Sequence, residues 1–114
     1  MPGDLSKREK KIARAIIDKG VEAEFKAGLE QAKAVIAKWE TGELNNRDGY
    51  HSLYKTIKEQ DKRIAKRYDG LTGSHYLTTV AAIMFDGQIT EEDIEDFSDE
   101  TKETLHRWAS FRNE

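Results

Sequence analysis

The stretch Phe25-Lys-Ala-Gly-Leu29-Glu-Gln-Ala32-Lys-Ala-Val-Ile36-Ala-Lys-Trp39 decides the fold. Its apolar residues step by four, three, four and three, the spacing of a helical seam that stays against another helix. Upstream, Ile12, Ile16 and Ile17 continue an apolar face, and Ser6 to Trp39 contains no proline and is rich in alanine, lysine and glutamate, so the intrinsic preference is helical. Gly20 costs about 1 kcal/mol relative to alanine inside a helix and marks a bend or a close backbone approach. One long or gently broken first helix is expected.

Glu40 to Gly49 reads as a turn, in which Gly42 ends the first helix and Asn45 or Asn46 caps the second. A second helix is expected from about Arg47 to Asp69, with Tyr50, Tyr54, Ile57, Asp61, Ile64 and Tyr68 on its seam. Matching seams and a short connection predict an antiparallel hairpin over about residues 6–69. Asp61 places a carboxylate in that seam and needs a cation or a water-filled gap.

Gly70-Leu-Thr-Gly73 breaks the second helix, and Ser74 is placed to cap a third containing Tyr76, Leu77, Val80, Ala81, Ile83, Met84 and Phe85. Apolar residues surround most of that helix, which predicts the most buried element. Gly87 stops it. Thr90-Glu-Glu-Asp93 is a capping arrangement opening a short helix with Ile94 and Phe97 inward. Ser98 to Thr101 opens a last helix carrying Leu105, Trp108 and Phe111. The expectation is a single all-α domain, with a helical head over about residues 70–112.

Composition bounds the function. A 114-residue chain fits one domain with a modest core, for which oligomerisation adds stability. The net charge of −3 argues against a chain-wide nucleic-acid binder. Without cysteine there are no disulfides and no thiolate metal sites. The amino end lacks the apolar stretch of a secretory signal, and the longest apolar run, Val80 to Phe85, is far short of the roughly 20 residues that span a bilayer. A cytoplasmic location without membrane attachment is the expectation.

Across nearly the whole chain this order of elements resembles the fluorescence recovery protein family. These are small cyanobacterial helical regulators that bind the orange carotenoid protein and speed its return to the resting form. The resemblance rests on Ala13, Ala15, Ile16 and Ile17, then Glu24 and Phe25, in the first helix, and on Leu53, Ile57, Ile64 and Arg67-Tyr68-Asp69 in the second. Val80 to Phe85, Asp86-Gly87 and Glu91-Glu-Asp-Ile94 follow in the same order. It implies a homodimer that binds a protein partner without catalysis or cofactor, with the head engaging the partner through His75, Tyr76, Asp86 and Gln88. Members acting on the carotenoid protein carry Trp-x-x-His-Asp early in the second helix and an arginine six residues after that aspartate. Here His51, Tyr54, Lys55 and Asp61 stand at those places, which argues for a different partner. Lys55 and Asp61 keep the spacing with both signs reversed. With Tyr50, His51 and Tyr54 they are the expected dimer-interface residues, and a Lys55–Asp61 pair across subunits is weighed against simple surface charge worth about 0–1 kcal/mol.

Other motifs carry less. Asp86 to Asp93 looks like half of a calcium loop, but counting back puts Ala82 and Met84 where the first carboxylate ligands belong. His51, His75 and His106 are too scattered for a zinc site. There is no nucleophile motif and no phosphate-binding glycine loop, so no enzyme activity and no metal are expected. Lys7, Arg8, Lys10, Lys11 and Arg14, and the run Lys55, Lys58, Lys62, Arg63, Lys66, Arg67, form basic clusters that, placed together, could bind nucleic acid or an acidic protein; nucleic-acid binding is the rival reading and a solvated helix face the plainer one. Glu91, Glu92, Asp93, Glu95, Asp96, Asp99 and Glu100 form an acidic one, explained in part by acids favouring helix starts.

Overall fold

The computed structural model describes residues 5–111, and among them every regular element is helical. Helix α1 spans Lys7–Glu40, α2 Asn46–Tyr68, α3 Tyr76–Phe85 and α4 Asp99–Phe111, with 3₁₀ turns at Gly73–His75 and Glu91–Ile94. No helix among the described residues is long and apolar enough to cross a membrane. The chain divides into two compact units, Met1–Val21 with Gly70–Glu114, and Glu22–Asp69. Residues 6–21, which the sequence pattern groups with the helical pair, therefore cluster with the carboxyl-terminal elements.

Local chemistry sets the boundaries. α1 runs unbroken through Gly20, which is buried. It stops where Gly42 takes φ +85° and donates its N–H to the Trp39 carbonyl at 3.1 Å, a conformation that costs glycine nothing. Asn45 caps α2 by accepting the Asp48 N–H at 2.8 Å. α3 ends in a Schellman arrangement: Gly87 at φ +72° donates to the Met84 carbonyl at 3.0 Å and Gln88 to that of Ile83 at 3.2 Å. Asp93 closes the next turn, its carboxylate accepting the Thr90 N–H at 2.8 Å. Ser98 opens α4 by accepting the Thr101 N–H at 3.2 Å. Ser74 falls inside the first 3₁₀ turn, so α3 begins at Tyr76 and not directly after Ser74.

The first unit holds the larger core. Ala13, Ile16 and Ile17 of α1 are buried, as are Leu77, Val80, Ala81, Ala82 and Ile83 of α3 and Ile89, Ile94, Phe97 and Leu105 beyond it. α3 is apolar and buried over most of its circumference, as its sequence predicts. Helix α4 lies against it and contributes Leu105. The Phe111 side chain lies outside the described residues. Polar links tie the amino-terminal part of α1 to this core. Lys19 Nζ reaches Asp93 Oδ1 at 2.7 Å, and the Glu9 carboxylate accepts the Ser98 N–H at 3.1 Å.

In the second unit, α2 runs antiparallel to the second half of α1. Trp39 packs on Gly49, an ideal Cβ at Gly28 would lie 2.9 Å from Gln60 Cγ, and Arg63 Nε bonds Glu24 Oε2 at 2.9 Å. Partner numbers on α2 rise as those on α1 fall. These contacts set Glu24, Gly28 and Trp39 against Gly49, Gln60 and Arg63; Trp39 belongs to the seam read from the sequence, and the others lie beside the two seams. Small residues allow this close approach: an ideal Cβ at Gly49 would meet Trp39 side-chain atoms at 3.2 Å.

Candidate interaction surfaces

The large residues of the sequence seams are mostly exposed in this unit, although Ala32 is buried and Ile64 and Tyr68 are half-buried. Phe25, Leu29, Ile36 and Trp39 on α1 and Tyr50, Tyr54 and Ile57 on α2 retain between 41% and 71% of their surface. At about 100° per residue each set falls within roughly 80° of arc on its helix, on the same side of the antiparallel pair. Two recesses lie along this side. One, of about 370 Å³, is lined by Val35, Ile36, Trp39, Asn46, Gly49, Tyr50 and Leu53. The other, of about 210 Å³, is lined by Phe25, Gly28, Leu29, Ile57, Gln60, Asp61 and Ile64. The two seams thus meet only in part: Ala32 is buried and Trp39 packs on Gly49, while Phe25, Leu29, Tyr50 and Tyr54 stay exposed side by side, because the glycine-containing stripes next to them make the closer contact.

Beneath this face is a polar cluster that periodicity did not single out. Glu24 is 2% exposed; its Oε2 accepts from Arg63 Nε at 2.9 Å, and its backbone carbonyl accepts from Gln60 Nε2 at 2.8 Å. Burying a carboxylate is tolerable only with such donors. The available sequence signal was Gly28, a helix-interior glycine one turn from Glu24. At the other end, Trp39 Nε1 donates to Asn46 Oδ1 at 2.8 Å, fixing the indole beside the larger recess.

The expected interface residues separate on α2. Tyr50, Tyr54 and Asp61 share the apolar side, where Asp61 is exposed at the rim of the smaller recess. Six residues from Asp61, Lys55 lies about 120° round the helix. It joins His51 on an exposed basic flank. Lys58 bridges the two sides, its ammonium 5.9 Å from the Tyr54 ring centre.

The head residues expected to bind a partner sit at the two ends of α3. His75 is exposed, with Nδ1 3.0 Å from the Thr72 hydroxyl. Tyr76 is half-buried; its hydroxyl accepts from Arg14 Nε at 3.2 Å, with that guanidinium 5.7 Å from its ring centre. Asp86 is exposed and Gln88 half-buried. Ten helical residues, about 15 Å, separate the two pairs.

Two carboxyls in this unit titrate below their ordinary values. For Glu9, burial raises the pKa, but hydrogen bonds from Ser98 and Thr101 and the charge of Arg8 outweigh it and hold it below 4.5. Asp93 is held below 3.8 chiefly by the Lys19 hydrogen bond, then by the Thr90 N–H. His106 Nε2 lies 2.7 Å from Glu91 Oε1 on the surface. No group of three metal-ligating side chains is present among the described residues. What the geometry defines is an all-helical protein whose notable surfaces are apolar and basic helix flanks. The chain matches no protein-family model, no curated protein and no solved structure.

Proposed function

We propose that this chain is a noncatalytic, homodimeric protein-binding regulator similar to fluorescence recovery protein, with the antiparallel pair as a dimerisation hairpin and the carboxyl-terminal elements as a partner-binding head. The observation that carries the reading is the exposed apolar side of the Glu22–Asp69 unit. At about 200 Å² per large side chain, its seven members leave roughly 750 Å² open to water. That approaches the ~800 Å² each partner buries in a standard interface and exceeds what a monomer ordinarily exposes in one patch. A second copy presents the same stripe, so a two-fold axis lets it cover itself.

Regulation then follows from preference. A dimer that binds one conformational state of its partner more tightly shifts that partner's equilibrium by the difference in affinity and needs no chemistry of its own. The exchanged positions His51, Tyr54, Lys55 and Asp61 favour a partner other than the orange carotenoid protein, in a cytoplasmic setting. Light scattering between micromolar and millimolar concentration tests the assembly. A dimer mass is expected, and a mass that stays monomeric at the upper end removes the reading.

A further inference from the structure

The second helix carries another stripe that the dimer reading leaves uncovered. Arg47, His51, Lys55, Lys58, Lys62 and Lys66 step by four, four, three, four and four, and all six are exposed. At about 100° per residue they occupy roughly 100° of arc, centred about 110° from the apolar side. Asp48 shares the arc at its amino end and Glu59 borders it; from His51 to Lys66 no other acid falls inside. None of the six forms an ion pair among the described residues. Glu59 stands at i,i+4 from Lys55, yet no ion pair forms between them, so the cations are left to meet charge from outside the chain.

We infer that this flank of α2 docks an acidic helix of a partner protein, its carboxylates repeating about once per turn. The five cations Arg47, Lys55, Lys58, Lys62 and Lys66, with His51 between the first two, span about 28 Å along a band about 100° wide on one side of the helix. A helix with an acid every third or fourth residue has the same axial repeat, so the two ladders stay in register along the whole flank. Duplex nucleic acid fits less well. Over 28 Å, most of a turn of about 34 Å, its phosphates wind nearly round the axis, and a band confined to one side of a helix meets only a few. The chain's net charge of −3 further opposes a long polyanion. This surface rests on the protein-binding reading for the class of its partner, not on the dimer.

The test uses the full chain and three fluorescent probes: an alanine-based helical peptide of about 20 residues with glutamate at alternating three- and four-residue spacing, and single-stranded and duplex DNA of equal net charge. The peptide is expected to bind most tightly, with affinity falling as salt rises from about 50 to 300 mM. Replacing Lys58, Lys62 and Lys66 together by glutamine should weaken it on the order of tenfold, three exposed pairs at up to about 1 kcal/mol each. Replacing Lys7, Lys10 and Lys11 instead should leave it unchanged. No peptide binding, binding indifferent to the α2 substitutions, or tighter binding of either DNA overturns the inference. Light scattering on the same samples reports the dimer separately, so either idea can fail alone.

Discussion

Leu29→Glu tests the exposed apolar side most sharply, because Leu29 retains 69% of its surface in the single chain. Leucine and glutamate have similar helix propensity, and substitution of so exposed a side chain changes monomer stability by no more than about 0.5 kcal/mol. In the proposed dimer the side chain is covered. Burying two-thirds of a leucine contributes about 1–2 kcal/mol, and a symmetric interface contains it twice, so the substitution costs about 2–4 kcal/mol of association. The dimer dissociation constant should rise roughly 30- to 1000-fold, with desolvation of the new carboxylates adding to this. Sedimentation velocity across a concentration series measures the constant directly. Thermal melts give a second readout, since the melting temperature of a dimer depends on concentration and that of a monomeric variant does not. An unchanged dissociation constant with intact helix content would refute the claim that this side is the interface.

Three further outcomes follow from the geometry. Gly28→Ala gains about 1 kcal/mol of helix propensity but drives a Cβ to 2.9 Å from Gln60 Cγ and strains the buried bond to the Glu24 carbonyl, worth about 1–3 kcal/mol, so a net loss and a lower melting temperature are expected; a rise would show that Gln60 yields freely. Glu9 and Asp93 have depressed pKa values in the folded chain, so the stability they contribute is present above their ordinary values of 4.5 and 3.8 and is lost as pH falls through the lower folded ones; Glu9→Gln with Asp93→Asn should flatten urea stability against pH below about 4.5, and parallel curves for variant and native protein would contradict this. Gln88→Glu should leave helix content and melting nearly unchanged while reducing capture of a protein partner from native lysate, whereas capture that survives every head substitution but is lost with Lys58, Lys62 and Lys66 would move the binding site from the head to α2.

Helix content and boundaries were written in the sequence because they depend on neighbours along the chain. Asn45 as a cap, Gly42 and Gly87 as stops, and Asp93 folding back on Thr90 need only a few residues each, and the structure places them as local chemistry requires. The burial of α3 was legible for the same reason: ten residues that are nearly all apolar leave no polar face to turn outward. What each seam faces was not legible. The spacing of Phe25, Leu29, Ile36 and Trp39 is the same whether the stripe meets the chain's own second helix or a surface outside it. Only the tertiary structure decided that Gly28, Gln60 and Glu24 hold the helices together while the larger side chains stay exposed, because close packing rewards the stripe whose backbones approach nearest, and periodicity carries no measure of that distance.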